Sequence, residues 1–80
     1  MNESTTFELG RVVAPGGSLS LYFAVSGSGA GMLQIFADDN DGRTKGVFLQ
    51  LDERRVGELR ALLARLDQVA GQMRDAGRLR

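Results

Sequence analysis

Residues 42–52 read Gly42-Arg43-Thr44-Lys45-Gly46-Val47-Phe48-Leu49-Gln50-Leu51-Asp52, and this stretch decides the fold. Val47, Leu49 and Leu51 alternate with Phe48 and Gln50, the period of two of a strand with one buried face. Asp52 ends that strand. Its carboxylate can accept from the free N–H groups of a first helical turn, where the helix dipole also favours negative charge. Leu51 before this cap and Val56 four residues after it suit a hydrophobic staple. A sheet-to-helix junction is therefore predicted, with the helix starting at Glu53.

Beyond the junction, Val56, Leu59, Leu63, Leu66, Ala70 and Met73 recur at steps of three and four, and Leu62 and Val69 widen the stripe. That spacing predicts one amphipathic helix over residues 53–76. Its first half has the width to cover one face of a four-stranded sheet. At about 1.5 Å per residue the helix is roughly 40 Å long, so its second half, from about Asp67, overhangs any sheet of short strands. A second copy of the chain is the economical cover, with Leu66, Val69, Ala70 and Met73 as the seam between two helices and a homodimer as the result. Gly57, Gly71 and Gly77 each weaken a helix by about 1 kcal/mol relative to alanine, which predicts a bend or early fraying near Gly71.

Upstream of residue 42, three further strands are expected. Residues 1–6 are polar and without period, and read as a flexible end. Phe7, Leu9, Val12 and Val13 form a first strand with an irregularity at Gly10-Arg11, and Ala14-Pro15-Gly16-Gly17 reverses the chain. Leu19, Leu21, Phe23 and Val25 then take the core face of a second strand, opposite Ser18, Ser20, Tyr22, Ala24 and Ser26. Residues 26–31 are a Gly/Ser connection, flexible by composition. It does not open a helix, as a phosphate-cradling loop does, because a period-two strand follows. In that third strand Leu33, Ile35 and Ala37 face the core and Met32, Gln34 and Phe36 face away. Asp38-Asp39-Asn40-Asp41-Gly42 fails as a calcium loop, since Ala37 and Phe48 would fall at its first and last ligand positions. It reads instead as an acidic hairpin turn bending at Asp41-Gly42.

Composition bounds the function. Eighty residues, 42% hydrophobic and 25% charged, make one α+β domain over residues 7–80, with an antiparallel sheet over 7–51 and the helix after it. A core this small supplies only about 3–5 kcal/mol, and such folds lean on disulfides, metals or a partner subunit. The chain has no cysteine and no histidine, so disulfides and the common transition-metal sites are not expected. No cofactor, small-molecule substrate or enzymatic activity is expected either. No serine has a recognisable base, and the carboxylates cluster in turns and on a solvated helix face. With no spanning apolar run and no signal-like amino terminus, an intracellular protein free of the membrane is expected. Net charge is zero, but residues 1–52 hold three basic and six acidic residues, and residues 53–80 seven arginines and four acids.

Lys45-Gly46-Val47-Phe48-Leu49, the polar cap and the helix through Leu59, Leu62, Leu63 and Leu66 resemble the transcriptional coactivator PC4 (p15) family. Leu21-Tyr22-Phe23-Ala24-Val25 and Leu33-Gln34-Ile35-Phe36 match the preceding sheet strands of that family. Phe48 stands where it usually has a small hydroxyl residue, and residues 1–42 are poorer in lysine and arginine than its sheets. The resemblance implies a homodimer joined through the terminal helices. It further implies an open sheet face that binds single-stranded DNA, with RNA left open, with little sequence preference, in transcription or in the protection of melted DNA. Such binding needs cations along the backbone path and flat rings on which bases stack. Tyr22, Phe36 and Phe48 supply rings, Gln34 lies among them, and Arg11, Arg43 and Lys45 are the expected cations. The competing expectation is a protein-interaction or dimerisation module of the same fold whose aromatic patch holds a protein partner. A third is that a second sheet or subunit covers the rings.

Overall fold

The computed structural model describes residues 4–80. Its element order is β1 (Thr5–Ala14), β2 (Gly17–Val25), β3 (Gly31–Asp39), β4 (Thr44–Leu51) and α1 (Glu53–Asp75), and the strands form one antiparallel meander in the order β1-β2-β3-β4. The flexible end expected over residues 1–6 lies partly outside the described residues. Thr5 and Thr6 already pair with Val25 and Ala24, so β1 starts earlier than its apolar pattern does.

Local chemistry accounts for each reversal. Ala14 pairs with Gly17 across a two-residue Pro15-Gly16 turn. At the β3–β4 hairpin Gly42 takes φ 77°, and the Asp39 carboxylate accepts from the N–H groups of Asp41 (2.9 Å) and Arg43 (3.0 Å). The Asn40 side-chain amide donates to the Pro15 carbonyl at 2.8 Å, tying both turns together at one end of the sheet. The Gly/Ser connection is more closed than its composition suggests. Ser26 N–H donates to the Ala30 carbonyl (2.9 Å), Ala30 N–H to Ser26 Oγ (3.1 Å), and Gly29 supplies the left-handed residue at φ 87°.

Helix α1 starts as the sequence predicts. Asp52 accepts from Arg55 N–H at 2.9 Å and from the Arg55 guanidinium at 2.7 Å. The Arg55 N–H, with the Arg55 charge behind it, holds the Asp52 carboxyl below the usual carboxylate range. A carboxyl lowered in this way stabilises the folded state above its ordinary value and loses that contribution as pH falls through the lowered one. Acidification is therefore expected to loosen the first turn of α1, and Asp52→Ala to abolish that pH dependence, both measured by helical circular dichroism. No early fraying occurs at Gly71, for the helix runs unbroken to Asp75. Gly77 ends it at φ 74°, donating to the Arg74 carbonyl (3.0 Å) while Arg78 N–H donates to the Met73 carbonyl (2.7 Å), a Schellman closure.

The placement of α1 departs from expectation. Its first half does not cover the sheet: among the described residues α1 touches β4 alone, and none of its side chains is buried. Among the described residues the buried apolar side chains are Ala24 and Leu33, and neither is completely enclosed. An apolar cleft of about 620 Å³ instead separates Leu9, Leu21, Phe23, Leu33 and Ile35 of the sheet from Val56, Leu59, Leu62 and Leu63 of the helix. The radius of gyration, 15.6 Å, exceeds the roughly 12 Å of a compact chain of this length. The molecule is a flat body of 53 × 33 × 15 Å with its apolar sheet face and apolar helix stripe both open.

Candidate nucleic-acid interface

Strand register sorts the side chains onto two faces. Phe7, Leu19, Leu21, Phe23, Leu33, Ile35, Val47 and Leu49 share the apolar face. On the other, Tyr22 pairs with Gln34, Gln34 with Phe48, and Phe36 with Ser20 and Gly46. Tyr22 on β2 and Phe48 on β4 thus flank Gln34, with Phe36 one pleat further along β3 between them. Phe36 is central, 5.8 Å from Tyr22 with planes at 71° and 5.8 Å from Phe48 at 80°, both edge-to-face. Gly46 lets them close up, because a Cβ there would lie 3.3 Å from the Phe36 ring and 3.4 Å from that of Phe48. Phe48 is 56% exposed, whereas Tyr22 and Phe36 are half-buried by their neighbours.

Arg11 reaches this face through a bulge. The register between β1 and β2 shifts between Glu8 and Gly10, leaving Leu9 as the extra residue. Without that shift Arg11 would share the apolar face with Phe7. With it, Arg11 pairs with Ser20 beside the rings. The irregularity expected at Gly10-Arg11 falls one residue earlier, and Gly10 at φ 151° supplies the backbone that a side chain would resist.

A shallow cleft of about 580 Å³ brings together Arg11, Tyr22, Gln34 and Phe36 with Ser20, Asp38 and Thr44. Along its end a polar row crosses all four strands. Arg11 Nη2 donates to Ser18 Oγ at 3.3 Å, Ser18 Oγ to Asp38 Oδ2 at 3.4 Å, and the Thr44 hydroxyl donates to Asp38 Oδ1. No protein-family model, curated protein or solved structure matches the chain. Function here rests on the residues of the site alone.

Two of the expected cations lie elsewhere. Lys45 pairs with Ala37 and has the parity of Val47, which puts it on the apolar face. Arg43 lies in the turn before β4, its N–H and carbonyl both bonded to Asp39. The ring-bearing face carries Arg11 as its cation and Glu8 and Asp38 as carboxylates. Asp38 and Thr44 are the site residues that an aromatic-and-cation reading passes over. Their signal was parity, since Asp38 lies two residues from Phe36 and Thr44 four from Phe48. The seam residues Leu66, Val69, Ala70 and Met73 lie on the outer half of α1, with Leu66 64% exposed and the other three half-exposed.

Proposed function

We propose that the chain works as a homodimer whose ring-bearing sheet faces bind single-stranded nucleic acid, DNA first, at melted or unpaired segments. The observation that carries this reading is the Tyr22–Phe36–Phe48 cluster on the polar side of an open sheet, with Arg11 re-aimed beside it by a bulge. The largely exposed Phe48 ring offers a π-face to which any base can stack, and Phe36 and Tyr22 lie beside it. Dimerisation is supported by the uncovered apolar surfaces on the opposite side. Leu62 and Leu63 of the helix, each 65% exposed, face a cleft whose sheet wall is as apolar as they are.

A fluorescent oligonucleotide titrated at two salt concentrations tests the reading. Affinity is expected to fall with salt at a log–log slope near −1.4 if two phosphates are neutralised and near −2.8 if four are. Phe48→Ala is expected to cost about 1–3 kcal/mol of binding without loss of fold, since the ring is largely solvent-exposed. Glu8 and Asp38 on the same face favour a second reading, in which the aromatic patch holds a protein partner carrying positive charge. Absence of oligonucleotide binding at low salt would select it.

A further inference from the structure

The end of the cleft has a hydrogen-bonding character that plain stacking does not need. Asp38 lies two residues along β3 from Phe36 on the same face, about 7 Å away along the strand, within reach of the edge of a base stacked on the ring. Each of its oxygens already accepts one hydroxyl proton, Oδ1 from Thr44 and Oδ2 from Ser18 at 3.4 Å. These bonds come from the strands on either side and orient the carboxylate. They leave acceptor capacity on both oxygens, because a carboxylate offers about four lone-pair sites. The nearby cation does not cancel it: Arg11 bonds Ser18 instead, and the ion pairs among the described residues are those of Arg54 with Glu58 and Arg55 with Asp52.

We infer that Asp38 makes the cleft selective for guanine, its two oxygens accepting from N1–H and the 2-amino group of a base stacked at Phe36. The inference rests on the reading of this face as a single-strand binder. Guanine is the base whose Watson–Crick edge carries two adjacent donors, matching the paired oxygens of a carboxylate as a guanidinium does. Cytosine and adenine offer one amino donor beside an acceptor nitrogen. Thymine offers a single N–H between two carbonyls, both repelled by the carboxylate. Arg11 serves the adjoining phosphate, held clear of Asp38 by Ser18.

The test compares thymidine tracts of one length carrying at their centre thymine, guanine or hypoxanthine, which keeps N1–H and lacks the 2-amino group. Wild-type protein is expected to bind the guanine tract about tenfold more tightly than plain thymidine, with hypoxanthine between. Asp38→Asn keeps a side chain able to bond Ser18 and Thr44, and is expected to erase the guanine preference while raising affinity for plain thymidine. A purely electrostatic role for Asp38 would shift all three tracts equally and overturn the inference. So would equal wild-type affinity for thymine and guanine tracts, or a guanine preference surviving in Asp38→Asn, both of which leave single-strand binding standing. Failure of every tract to bind would overturn the inference and the reading together.

Discussion

Leu66→Asp is expected to turn a dimer into a monomer that no longer unfolds cooperatively. In the single chain, Leu62, Leu63 and Leu66 are 64–65% exposed, and the sheet wall opposite the helix is as uncovered. Burying one leucine side chain is worth about 1.5–3 kcal/mol, and a two-fold interface loses it twice, so the dissociation constant should rise by roughly 10²–10⁴ before any cost of burying the new carboxylate. Stability should fall with it. Among the described residues only Ala24 and Leu33 are buried apolar side chains, so the isolated chain has little core of its own, and a dimer formed through these surfaces would couple fold and association in one equilibrium. Sedimentation and thermal melts over a range of protein concentrations check both points, with Leu66→Met as the variant expected to stay dimeric. A wild-type chain that sediments at 8.6 kDa and melts at a concentration-independent temperature would remove the second copy from this account.

The strands, the caps and the junction at Asp52 were legible because each rests on chemistry within a few residues. Alternation in Leu19–Val25 and Leu33–Ala37, a carboxylate before Glu53 and glycines at the turns specify local geometry without reference to the rest of the chain. The placement of the helix was not legible in the same way. An apolar stripe from Val56 to Met73 says that a surface must be covered, and says nothing about whether its own sheet or another chain covers it. Which cations share the ring-bearing face is a question of parity. Grouping Lys45 with Arg43 because they are close along the chain ignores the alternation that ties Lys45 to Val47, whereas Arg11 reaches the ring face only because one inserted residue shifts the register. A bulge is a property of two strands together. The glycine at position 10 hinted at it without fixing which residue would be unpaired.

Gly17→Ala is expected to destabilise the protein by about 3 kcal/mol, and Gly16→Ala to change it by less than about 0.5 kcal/mol. Composition cannot distinguish these adjacent glycines, but geometry does. At Gly17 φ is 150°, and an added Cβ would stand 2.0 Å from the Asp38 carbonyl oxygen and 3.1 Å from the carbonyl carbon. Both atoms are backbone at one end of the β2–β3 ladder, where Gly17 pairs with Asp39 and Ser18 with Asp38, so neither can move aside without breaking that end of the pairing. At Gly16 φ is not positive and the space around the missing Cβ is empty. For a domain of this size, 3 kcal/mol is a large part of total stability and corresponds to a fall of about 12–24 °C in melting temperature. The effect should also reach the ring-bearing face. Forcing β3 away at Asp38 pulls its carboxylate from the Ser18 hydroxyl, one residue along β2 from the substitution, so the polar row is lost before the fold is. Melting curves of the two variants side by side check the claim. Equal transitions would mean that β2 and β3 do not approach at this point, and that the row crossing the sheet through Ser18 and Asp38 is not held in the geometry described.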